Sequence, residues 1–499
     1  MNFANYVEFQ ADERPGELAT TDPKREMSYA ELDAETSAVA NALADRGVGP
    51  GDHVALFLPN LTTFVTAYFG AMKLGAVPVP INLRFGESEI GHVILDVDPE
   101  VLFTIGQFEG AFADRDLGLE LVVAGGERGI DYGEMVADAG KSFDIEPQLD
   151  TDVAEILYTS GTTGMPKGVE HTHGNLAANA RAGRAHMEYG SDTVFLTVAP
   201  CFHASGLNAT TTPAVVHGAQ NHFLPQWDPE TALQTMAAKG VTYTMLIPTM
   251  VIDLLEHGTE GYDLSAFESL LVGGSPMPKE RIADAEAALG CDLYEGYGMT
   301  ETTLGAAANT PGQDVYKAGS IGPVAGEMAD VRVEDPDTGE EVGAGERGEL
   351  LWHGDTVTPG YYQMPEKNEE VFVEREGKTW LRSGDIGHVD EDGHLFVDDR
   401  VDDMVISGGE NVYPREVEDV IYELDGVVEA AVIGTPHERL GEQVTAIVRG
   451  DVPPEDVEAV CRDRLADYKT PREVHFVDEL PKTSTRKIDK VTLREQFGG

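Results

Sequence analysis

Short apolar runs alternate with longer amphipathic stretches through most of the first 400 residues. The run VALFLP (54–59) precedes LTTFVTAYFGAMKLG (61–75), which predicts a strand followed by a helix. The runs AEIL (154–157) and TVFLTVAP (193–200) also have the length of buried strands, and NLAANARAGRAH (175–186) predicts a helix. Strands that alternate with helices are typical of βα units, so the pattern predicts an α/β fold with largely parallel sheets.

A different pattern occupies residues 322–400, where short strands are separated by Gly and Asp turns, as in a small antiparallel subdomain. Its predicted strands are ADVRVED (329–335), GELLWHG (348–354) and HLFVDDR (394–400). Residues 401–424 then contain a strand, a Gly-Gly turn and an amphipathic helix, which restart an α/β pattern. We therefore expect a large N-terminal domain, 1–400, that includes the β-rich subdomain, and a small, mobile α+β domain, 401–499.

The stretch Val54–Met72 carries no formal charge, but it contains Pro59, Asn60 and three threonines. It therefore predicts a buried strand and a buried helix rather than a membrane span. The first 16 residues have neither a basic n-region nor an apolar h-region, so they do not resemble a secretory signal. The three cysteines cannot form a disulfide framework and lack metal-ligand spacing. These features favour a soluble protein of the reducing cytoplasm.

The chain has 35 basic and 89 acidic side chains, which give a formal net charge of −54. Such a surface repels nucleic acids and anionic membranes, so neither is an expected partner. Charges on a protein surface are screened over about 10 Å in dilute buffer but over about 3 Å at molar salt. We therefore predict a halophile's protein, whose stability and activity rise with KCl.

Positive charge is concentrated near the C terminus. Between Pro481 and Arg494 the chain has one acid, Asp489, and five bases, which are Lys482, Arg486, Lys487, Lys490 and Arg494. In so acidic a chain this segment indicates an anionic ligand, although a solvated terminal helix would also explain it.

The segment Tyr158–Val169, YTSGTTGMPKGV, has the composition of a phosphate-binding loop. Its three glycines allow the backbone to approach an anion closely, and its hydroxyls and N–H groups can surround phosphate oxygens. Lys167 adds a positive charge. The loop is not a Walker A motif, because Gly168 follows Lys167 where that motif has Ser or Thr.

This loop resembles the phosphate loop of the adenylate-forming superfamily, which includes acyl-CoA synthetases, peptide-synthetase adenylation domains and beetle luciferases. Six further segments resemble core motifs of the superfamily, in the same order, so the similarity spans almost the whole chain. They are FHASG (202–206), VGGSPMP (272–278), YEGYGMTE (294–301), RSGDIG (382–387), DRVDDMVISGGENVYPREVE (399–418) and PKTSTRKIDK (481–490).

The resemblance implies an ATP site. Adenine would stack on Tyr297 opposite the turn 273–275, and Asp385 and Arg400 would hold the ribose. The nucleotide-binding residues implied in this way are Thr159, Ser160, Gly161, Thr162, Thr163, Gly164, Lys167, Gly274, Ser275, Glu295, Gly296, Tyr297, Gly298, Met299, Asp385 and Arg400.

The resemblance also implies the residues of catalysis. Lys487 matches the catalytic lysine of the superfamily, which would bridge the substrate carboxylate and the α-phosphate of ATP and offset their repulsion. Thr300 and Glu301 match a Thr-Glu pair, in which the hydroxyl contacts the α-phosphate and the carboxylate binds Mg²⁺, with Thr159 as a second metal ligand. The chain departs from many relatives at Arg486, where they have glycine.

Other residues are implied for the second half-reaction, in which the thiol of CoA attacks the acyl-adenylate. Asp402 matches the hinge about which the C-terminal domain of relatives rotates. The turn Ser407, Gly408 and Gly409 would approach the pantetheine tunnel of CoA. His203 would lie at the mouth of the acyl pocket as a catalytic residue.

Two histidines after the phosphate loop invite a different interpretation. His171 and His173 could supply only two ligands to a metal ion. We expect them instead to be a hydrogen-bonding pair at the start of a helix.

The expected activity is that of an ATP-dependent carboxylic acid:CoA ligase that releases AMP and pyrophosphate. In this superfamily the acyl pocket would be formed by the segment 202–218, the helix-like YTMLIPTMVIDLL (243–255) and the turn 273–276. These segments are apolar, which favours a medium- to long-chain fatty acid, with an aryl acid of the benzoate or coumarate type as the alternative.

Three other functions use the same scaffold. They are the loading of a carrier protein in trans, nucleotide-dependent regulation without catalysis, and luciferase-like oxygenation. The presence of Lys487, Glu301, Asp385 and Lys167 together speaks against an inactive regulator. A homodimer is implied by analogy with relatives alone.

Overall fold

A computed structural model of the protein describes residues 1–112, 118–159, 165–275, 277–313, 315–323, 329–401, 403–483 and 486–498. Its helices are α1 Asn5–Glu13, α2 Tyr29–Ala44, α3 Thr62–Lys73, α4 Glu87–Val97, α5 Tyr132–Asp138, α6 His173–Met187, α7 Ala204–Gly206, α8 Thr212–His217, α9 Pro229–Lys239, α10 Pro248–His257, α11 Lys279–Leu289, α12 Pro365–Val371, α13 Pro414–Tyr422, α14 Pro454–Arg464 and α15 Lys490–Phe497. Short 3₁₀ turns span Glu109–Ala111 and Thr300–Thr302, and a π-helical turn spans Leu207–Thr211.

The strands are β1 Leu18–Thr21, β2 Glu26–Ser28, β3 His53–Phe57, β4 Val77–Pro80, β5 Val101–Ile105, β6 Glu120–Ala124, β7 Ile130–Asp131, β8 Val153–Thr159, β9 Lys167–Thr172, β10 Val194–Thr197, β11 Gln220–Phe223, β12 Tyr243–Leu246, β13 Ser269–Gly273, β14 Asp292–Tyr297, β15 Ala307–Ala308, β16 Asp330–Glu334, β17 Gly348–His353, β18 Gly360–Tyr361, β19 Phe372–Arg375, β20 Lys378–Val389, β21 Leu395–Arg400, β22 Val405–Ser407, β23 Glu410–Val412, β24 Val427–His437, β25 Gly441–Gly450 and β26 Glu473–Phe476.

Two parallel-rich sheets form the large domain, as the βα pattern predicts. One has the order β15-β14-β13-β12-β10-β11-β1-β2 and is parallel except at its two edges. The other, β4-β3-β5-β6-β7, is parallel throughout. Helix α3 is buried along its whole length, and strand β3 is buried from Val54 to Phe57, which explains why the sequence has no charge in these two elements before Lys73. Within the described residues, no helix is both long and apolar enough to cross a membrane.

An antiparallel sheet and a mixed, mostly antiparallel sheet follow. Strands β16, β17, β19, β20 and β21 form the β-rich subdomain that the sequence predicts. The C-terminal sheet has the order β23-β22-β25-β24, with β26 beside β25, and α13 packs its apolar face on β24. The large N-terminal and small C-terminal domains are therefore confirmed. We propose that their boundary lies between Arg400 and Val401, where β21 ends.

One local prediction was wrong, and one strand was missed. The segment 243–255 is not one helix, because Tyr243–Leu246 is a central strand of the parallel sheet and α10 begins only at Pro248. Proline is favoured in the first turn of a helix, where its missing N–H group has no partner to lose. One strand lies in no segment for which the sequence predicts a strand. This is β9, which forms an antiparallel hairpin with β8.

Candidate active site

A cavity of about 900 Å³ lies between the two domains. Its walls come from the ends of strands in the large domain, from the β-rich subdomain and from the C-terminal domain. The residues predicted from the sequence that line it are Thr159, Lys167, His203, Gly274, Ser275, Glu295, Gly296, Tyr297, Gly298, Met299, Thr300, Glu301, Asp385, Arg400 and Lys487. Segments far apart in sequence thus meet in one place.

The Lys487 side chain reaches the large domain at Gly274. A Cβ atom on Gly274 would lie 3.3 Å from Cε of Lys487, and φ of Gly274 is +84°, so glycine suits this position in two ways. Burial and the nearby Arg400 guanidinium lower the pKa of Lys487, whereas the Asp385 carboxylate opposes this shift. The loop before Lys487 is closed by two hydrogen bonds with Thr483, at 2.7 and 3.2 Å.

Arg486 has φ of +64°, in the left-handed region that favours glycine. This explains why many relatives of the superfamily have glycine there. The Arg486 carbonyl accepts a hydrogen bond from the Thr249 hydroxyl at 3.0 Å. The Arg486 guanidinium lies 3.1 Å from the Asp253 carboxylate, so the side chain joins the C-terminal domain to α10.

The candidate ribose site lies on two neighbouring strands. Asp385 of β20 and Arg400 of β21 are cross-strand partners, and the Arg400 Nε atom lies 3.7 Å from Oδ1 of Asp385. The Tyr297 hydroxyl donates to the other carboxylate oxygen, and the Tyr297 ring stacks on Trp352 with centroids 5.4 Å apart. Burial raises the pKa of Asp385, against the effect of Arg400. The hydrogen bond to Asp385 fixes the hydroxyl of Tyr297, and Trp352 covers one face of its ring.

The floor of the candidate adenine site requires close backbone approach. Gly273 and Gly296 are neighbours on the parallel strands β13 and β14, and a Cβ atom on Gly273 would lie 2.9 Å from the carbonyl oxygen of Gly296. Gly298 has even less room, since its Cβ would meet the carbonyl oxygen of Leu304. Glu295 is buried and accepts a hydrogen bond from the Gly319 N–H at 2.8 Å. Burial raises the pKa of Glu295 to about 7.

Thr300 and Glu301 form the 3₁₀ turn after β14, and both are buried. The Tyr361 hydroxyl donates to Oε1 of Glu301 at 2.6 Å, and the Thr358 N–H donates to the Glu301 carbonyl at 2.8 Å. The ammonium of Lys167 lies 5.5 Å from the centre of the Tyr361 ring. Sequence reasoning missed Tyr361, because it lies in none of the motifs and reaches the site only through the pairing of β18 with β9.

His203 precedes α7, where its Nδ1 atom accepts a hydrogen bond from the Ser205 N–H at 3.3 Å. Burial, with a smaller contribution from Lys487, lowers the pKa of His203 to about 3. The imidazole is therefore neutral at physiological pH.

His173 begins α6 and accepts from the Phe3 N–H at 3.0 Å, as expected for a histidine at a helix start. His171 instead points into the interior, towards Glu155.

Some predicted residues are not brought to the cavity. Ser407, Gly408 and Gly409 form the turn between β22 and β23, and they are not among the described residues that line it. Other predictions lie outside the described residues, namely Ser160, Gly161, Thr162, Thr163, Gly164 and the hinge Asp402.

The chain belongs to the family of AMP-binding enzymes. The model of the AMP-binding enzyme matches residues 7–362, and that of the AMP-binding enzyme C-terminal domain matches residues 416–487. The superfamily inferred from the motifs is therefore confirmed.

Individual relatives narrow the class. A feruloyl-CoA synthase of Amycolatopsis sp. is 37% identical over 95% of this chain and 94% of its own. A long-chain-fatty-acid–CoA ligase of Mycobacterium tuberculosis is 35% identical over 94% of this chain and 93% of its own. The crystal structure of an anthranilate CoA ligase in complex with anthranoyl-AMP superimposes with a TM-score of 0.94, at 28% identity over 99% of this chain and 97% of that one. These comparisons confirm the expected enzyme class, an AMP-forming acid–thiol ligase.

Proposed function

We propose that this protein activates an aromatic monocarboxylic acid with ATP and transfers the acyl group to CoA. The observation that carries the proposal is the convergence of Lys487, the Thr300–Glu301 pair and the Asp385–Arg400 pair on one cavity. These groups supply a cation between two anionic reactants, oxygen ligands for a hard metal and acceptors for a ribose. Each group alone is common on protein surfaces, whereas their combination is suited to adenylation.

In the first half-reaction a carboxylate oxygen of the acid forms a bond with the α-phosphorus of ATP. The bond from the α-phosphorus to the bridging oxygen breaks, and pyrophosphate leaves with the electron pair. Lys487 lies beside Gly274, where its ammonium offsets the repulsion between carboxylate and phosphate and stabilises the charge that spreads over the α-phosphate oxygens. The protonated ammonium is the form that provides this stabilisation, and the Asp385 carboxylate favours it while burial disfavours it.

Mg²⁺ fits the donors that this chain offers. The Glu301 carboxylate and the Thr159 hydroxyl are hard oxygen ligands, and Tyr361 fixes the carboxylate by donating to one of its oxygens. When bound, the ion would neutralise charge on the phosphate oxygens. Among the described residues no cluster of three or more His, Cys, Asp or Glu side chains could hold a metal, so phosphate and water would complete the coordination.

In the second half-reaction the sulfur of CoA forms a bond with the acyl carbon, the thiol proton passes to water, and AMP leaves with the electrons of the broken C–O bond. Lys487 lines the cavity beside Gly274 in the present domain arrangement, and movement of the C-terminal domain would withdraw it and open a path for the thiol. Among the contacts that hold this domain in place are the ion pairs of Arg486 with Asp253 and of Arg449 with Glu256, and the hydrogen bond from the Arg281 guanidinium to the carbonyl of Val427.

The acyl side of the cavity supports an aromatic substrate. It is lined by Asn179, Gly183, Met187, Tyr189, Pro213, Met245 and Leu271. Tyr189 packs against Phe195 and Tyr243, with ring centroids 5.1 and 4.7 Å apart, so a rigid aromatic wall stands behind this part of the cavity. A flat, compact acid matches such a wall better than a flexible chain does. The feruloyl- and anthranilate-activating relatives support the same choice.

A medium- to long-chain fatty acid, which the sequence favours, is the second candidate. The residues named on this side of the cavity carry no formal charge, which suits an alkyl tail equally well and disfavours a dicarboxylate. The similarity to a long-chain-fatty-acid–CoA ligase supports it.

The test is a panel of acids, from acetate to palmitate together with benzoate, coumarate, ferulate and indoleacetate, in the presence of ATP, Mg²⁺ and CoA. We expect AMP and pyrophosphate release to depend on both acid and CoA, with the highest kcat/KM for an aromatic acid. Lys487→Ala should lower the rate of adenylation by at least about 100-fold, as the loss of a transition-state charge contact does elsewhere. Lys482→Ala, which removes a lysine from the same segment that pairs with Glu429 instead, is the control. Full turnover by Lys487→Ala would refute the proposed mechanism.

A further inference from the structure

Glu155 is the centre of a buried polar network behind the cavity. Its side chain and those of Tyr68 and His171 are fully buried. Oε1 of Glu155 accepts a hydrogen bond from Asn208 at 2.9 Å and faces Nδ1 of His171 at 2.7 Å, and Oε2 accepts from the Tyr68 hydroxyl at 2.6 Å. Burial and the adjacent carboxylate raise the pKa of Tyr68, which keeps its hydroxyl a donor.

The other nitrogen of His171 points at the candidate active site. Nε2 lies 2.6 Å from the backbone carbonyl oxygen of Thr300. A carbonyl oxygen can only accept, so Nε2 must carry hydrogen. On the other side, one proton is shared between Nδ1 and Oε1 of Glu155. Whichever atom holds that proton, the direction of the bond to Thr300 is the same.

His171 therefore connects the two segments that would surround the phosphates of ATP. Glu155 on β8 and His171 on β9 are cross-strand partners in the hairpin whose connecting loop includes the phosphate motif. The Thr300 carbonyl accepts from His171 and, within its own turn, from the Thr303 N–H at 2.9 Å. Both lone pairs of this oxygen are thus engaged, and the start of the Thr300–Glu301 turn is fixed relative to the hairpin.

The side of the cavity that would bind the carboxylic acid is also connected to Glu155. Asn208 lies in the π-helical turn and lines the cavity, while its side chain donates to Glu155. Its backbone carbonyl accepts from the Asn179 side chain at 2.8 Å, and Asn179 lines the cavity as well. One buried carboxylate therefore connects the phosphate hairpin with the wall of the acyl pocket.

We propose that His171, held by Glu155, is a positioning residue for adenylation, which sets the Thr300–Glu301 turn against the phosphate hairpin through its Nε2–H···O=C bond. The inference rests on the proposed function. It predicts a larger effect on the first half-reaction than on the second, because the acyl-adenylate keeps the α-phosphate that Thr300 would contact but has lost the pyrophosphate whose metal ion Glu301 would help to hold.

Two substitutions at His171 distinguish its hydrogen bond to Thr300 from its hydrogen bond to Glu155. The amide of glutamine places its nitrogen near the position of Nε2, so His171→Gln keeps a donor for Thr300 and loses the contact with Glu155. The amide of asparagine places its nitrogen near Nδ1, so His171→Asn keeps a donor for Glu155 and loses the bond to Thr300. Both variants lose one buried hydrogen bond, which matches them in stability.

The measurements are acid-dependent ATP–pyrophosphate exchange, the transfer of a presynthesised acyl-adenylate to CoA, and the urea midpoint of unfolding. They use the full chain and the best acid of the panel. We expect His171→Asn to lower kcat of exchange about 30-fold, with KM for ATP and acid within twofold of wild type, since small misplacements of catalytic groups cost this much. His171→Gln should stay within threefold. Transfer to CoA should be reduced less than exchange in His171→Asn, and it should stay close to wild type in His171→Gln, at equal urea midpoints.

Equal losses in the two variants, or a parallel loss of both half-reactions in His171→Asn, would overturn the positioning role while leaving the proposed function intact. A wild type without acid-dependent exchange would refute the proposed function and this inference with it. If His171→Asn does not fold, the imidazole ¹⁵N signals of His171 in the wild type, assigned by their loss in His171→Gln, replace it. They must shift when a nonhydrolysable acyl-adenylate analogue binds, and unmoved signals would contradict the inference.

Discussion

The backbone at Arg486 is strained in a way that glycine would not be. A side chain at φ of +64° is strained by about 1–2 kcal/mol relative to glycine. The ion pair with Asp253 is partly exposed on both sides, and such a pair contributes at most about 1 kcal/mol. Asp253 also accepts from the indole N–H of Trp227 at 2.7 Å, so it retains a partner when Arg486 is removed. The two effects at Arg486 are therefore of similar size and opposite sign.

This balance predicts which of two variants at Arg486 has the larger free energy of unfolding. Arg486→Gly loses the ion pair and the strain, so its free energy of unfolding should lie within about 1 kcal/mol of wild type. Arg486→Ala loses the pair but keeps the strain, and it should be about 1 kcal/mol less stable than Arg486→Gly. Urea unfolding of the three proteins measures both differences. Equal stability of the glycine and alanine variants would mean that the backbone at this position is not left-handed.

The raised pKa of Glu295 predicts that the stability of the protein depends on pH. Its pKa is about 7 in the folded protein, chiefly because of burial, against 4.5 for an ordinary glutamate. Between these values the folded protein binds more protons than the unfolded chain, so stability falls as pH rises through this window. The full difference corresponds to about 3 kcal/mol.

Glu295→Gln removes the titration and keeps an acceptor for the Gly319 N–H. We expect the free energy of unfolding of the wild type, minus that of Glu295→Gln, to decrease by about 3 kcal/mol from pH 5 to pH 8. Unfolding curves of both proteins at several pH values provide the measurement. A difference that does not change with pH would show that Glu295 titrates normally.

At the scale of elements, the acyl pocket depends on where α6, β10 and β12 meet. Tyr189 follows α6, and it donates a hydrogen bond to the Tyr243 hydroxyl at 2.6 Å. Tyr189 lines the cavity, whereas Tyr243, equally buried in the same aromatic cluster, is not among the described lining residues. The pair therefore offers a variant and its control.

Tyr189→Leu should shorten the aromatic wall. We expect kcat/KM for aromatic acids to fall about tenfold relative to that for an aliphatic acid of eight to ten carbons, because a contact between rings is replaced by a flexible side chain. Tyr243→Leu should destabilise the protein by a similar amount without changing this ratio. The acid panel, applied to both variants, measures the ratio. A change of the ratio in Tyr243→Leu as large as in Tyr189→Leu would place the wall elsewhere.

The elements also indicate how far sequence patterns predict this molecule. The large parallel sheets and the β-rich subdomain follow from periodicity, because their strands are apolar and separated by clear turns. Strand β9 was missed, since its sequence KGVEHT has few apolar residues and is stabilised by pairing with β8 and β18. The network of Glu155 and His171 depends on that hairpin register, so no local pattern could predict it. The motif residues could be predicted individually, but their distances could not.

For the whole molecule, the charge is divided unevenly. Residues 401–499 contain 12 basic and 22 acidic side chains, a net −10, which leaves −44 for the first 400 residues. The cavity between these parts is nevertheless lined by Lys167, Arg400 and Lys487. These three positive charges thus lie where ATP, which is strongly anionic, would bind. The surrounding acidic surface acts against the approach of ATP and against the compact state itself.

Both effects weaken when salt is added, which predicts that stability and turnover rise together with KCl. From 0.1 M to 1 M the screening length falls from about 10 Å to about 3 Å, so repulsion between neighbouring carboxylates and repulsion of ATP both decrease. Thermal unfolding and kcat/KM for ATP, measured from 0.1 to 3 M KCl, provide the test. Sucrose is the control, because it stabilises compact states by exclusion without screening charge, and it should raise the unfolding temperature without raising kcat/KM. Maximal turnover at low salt, with the fold intact, would contradict a halophilic origin of the acidic surface.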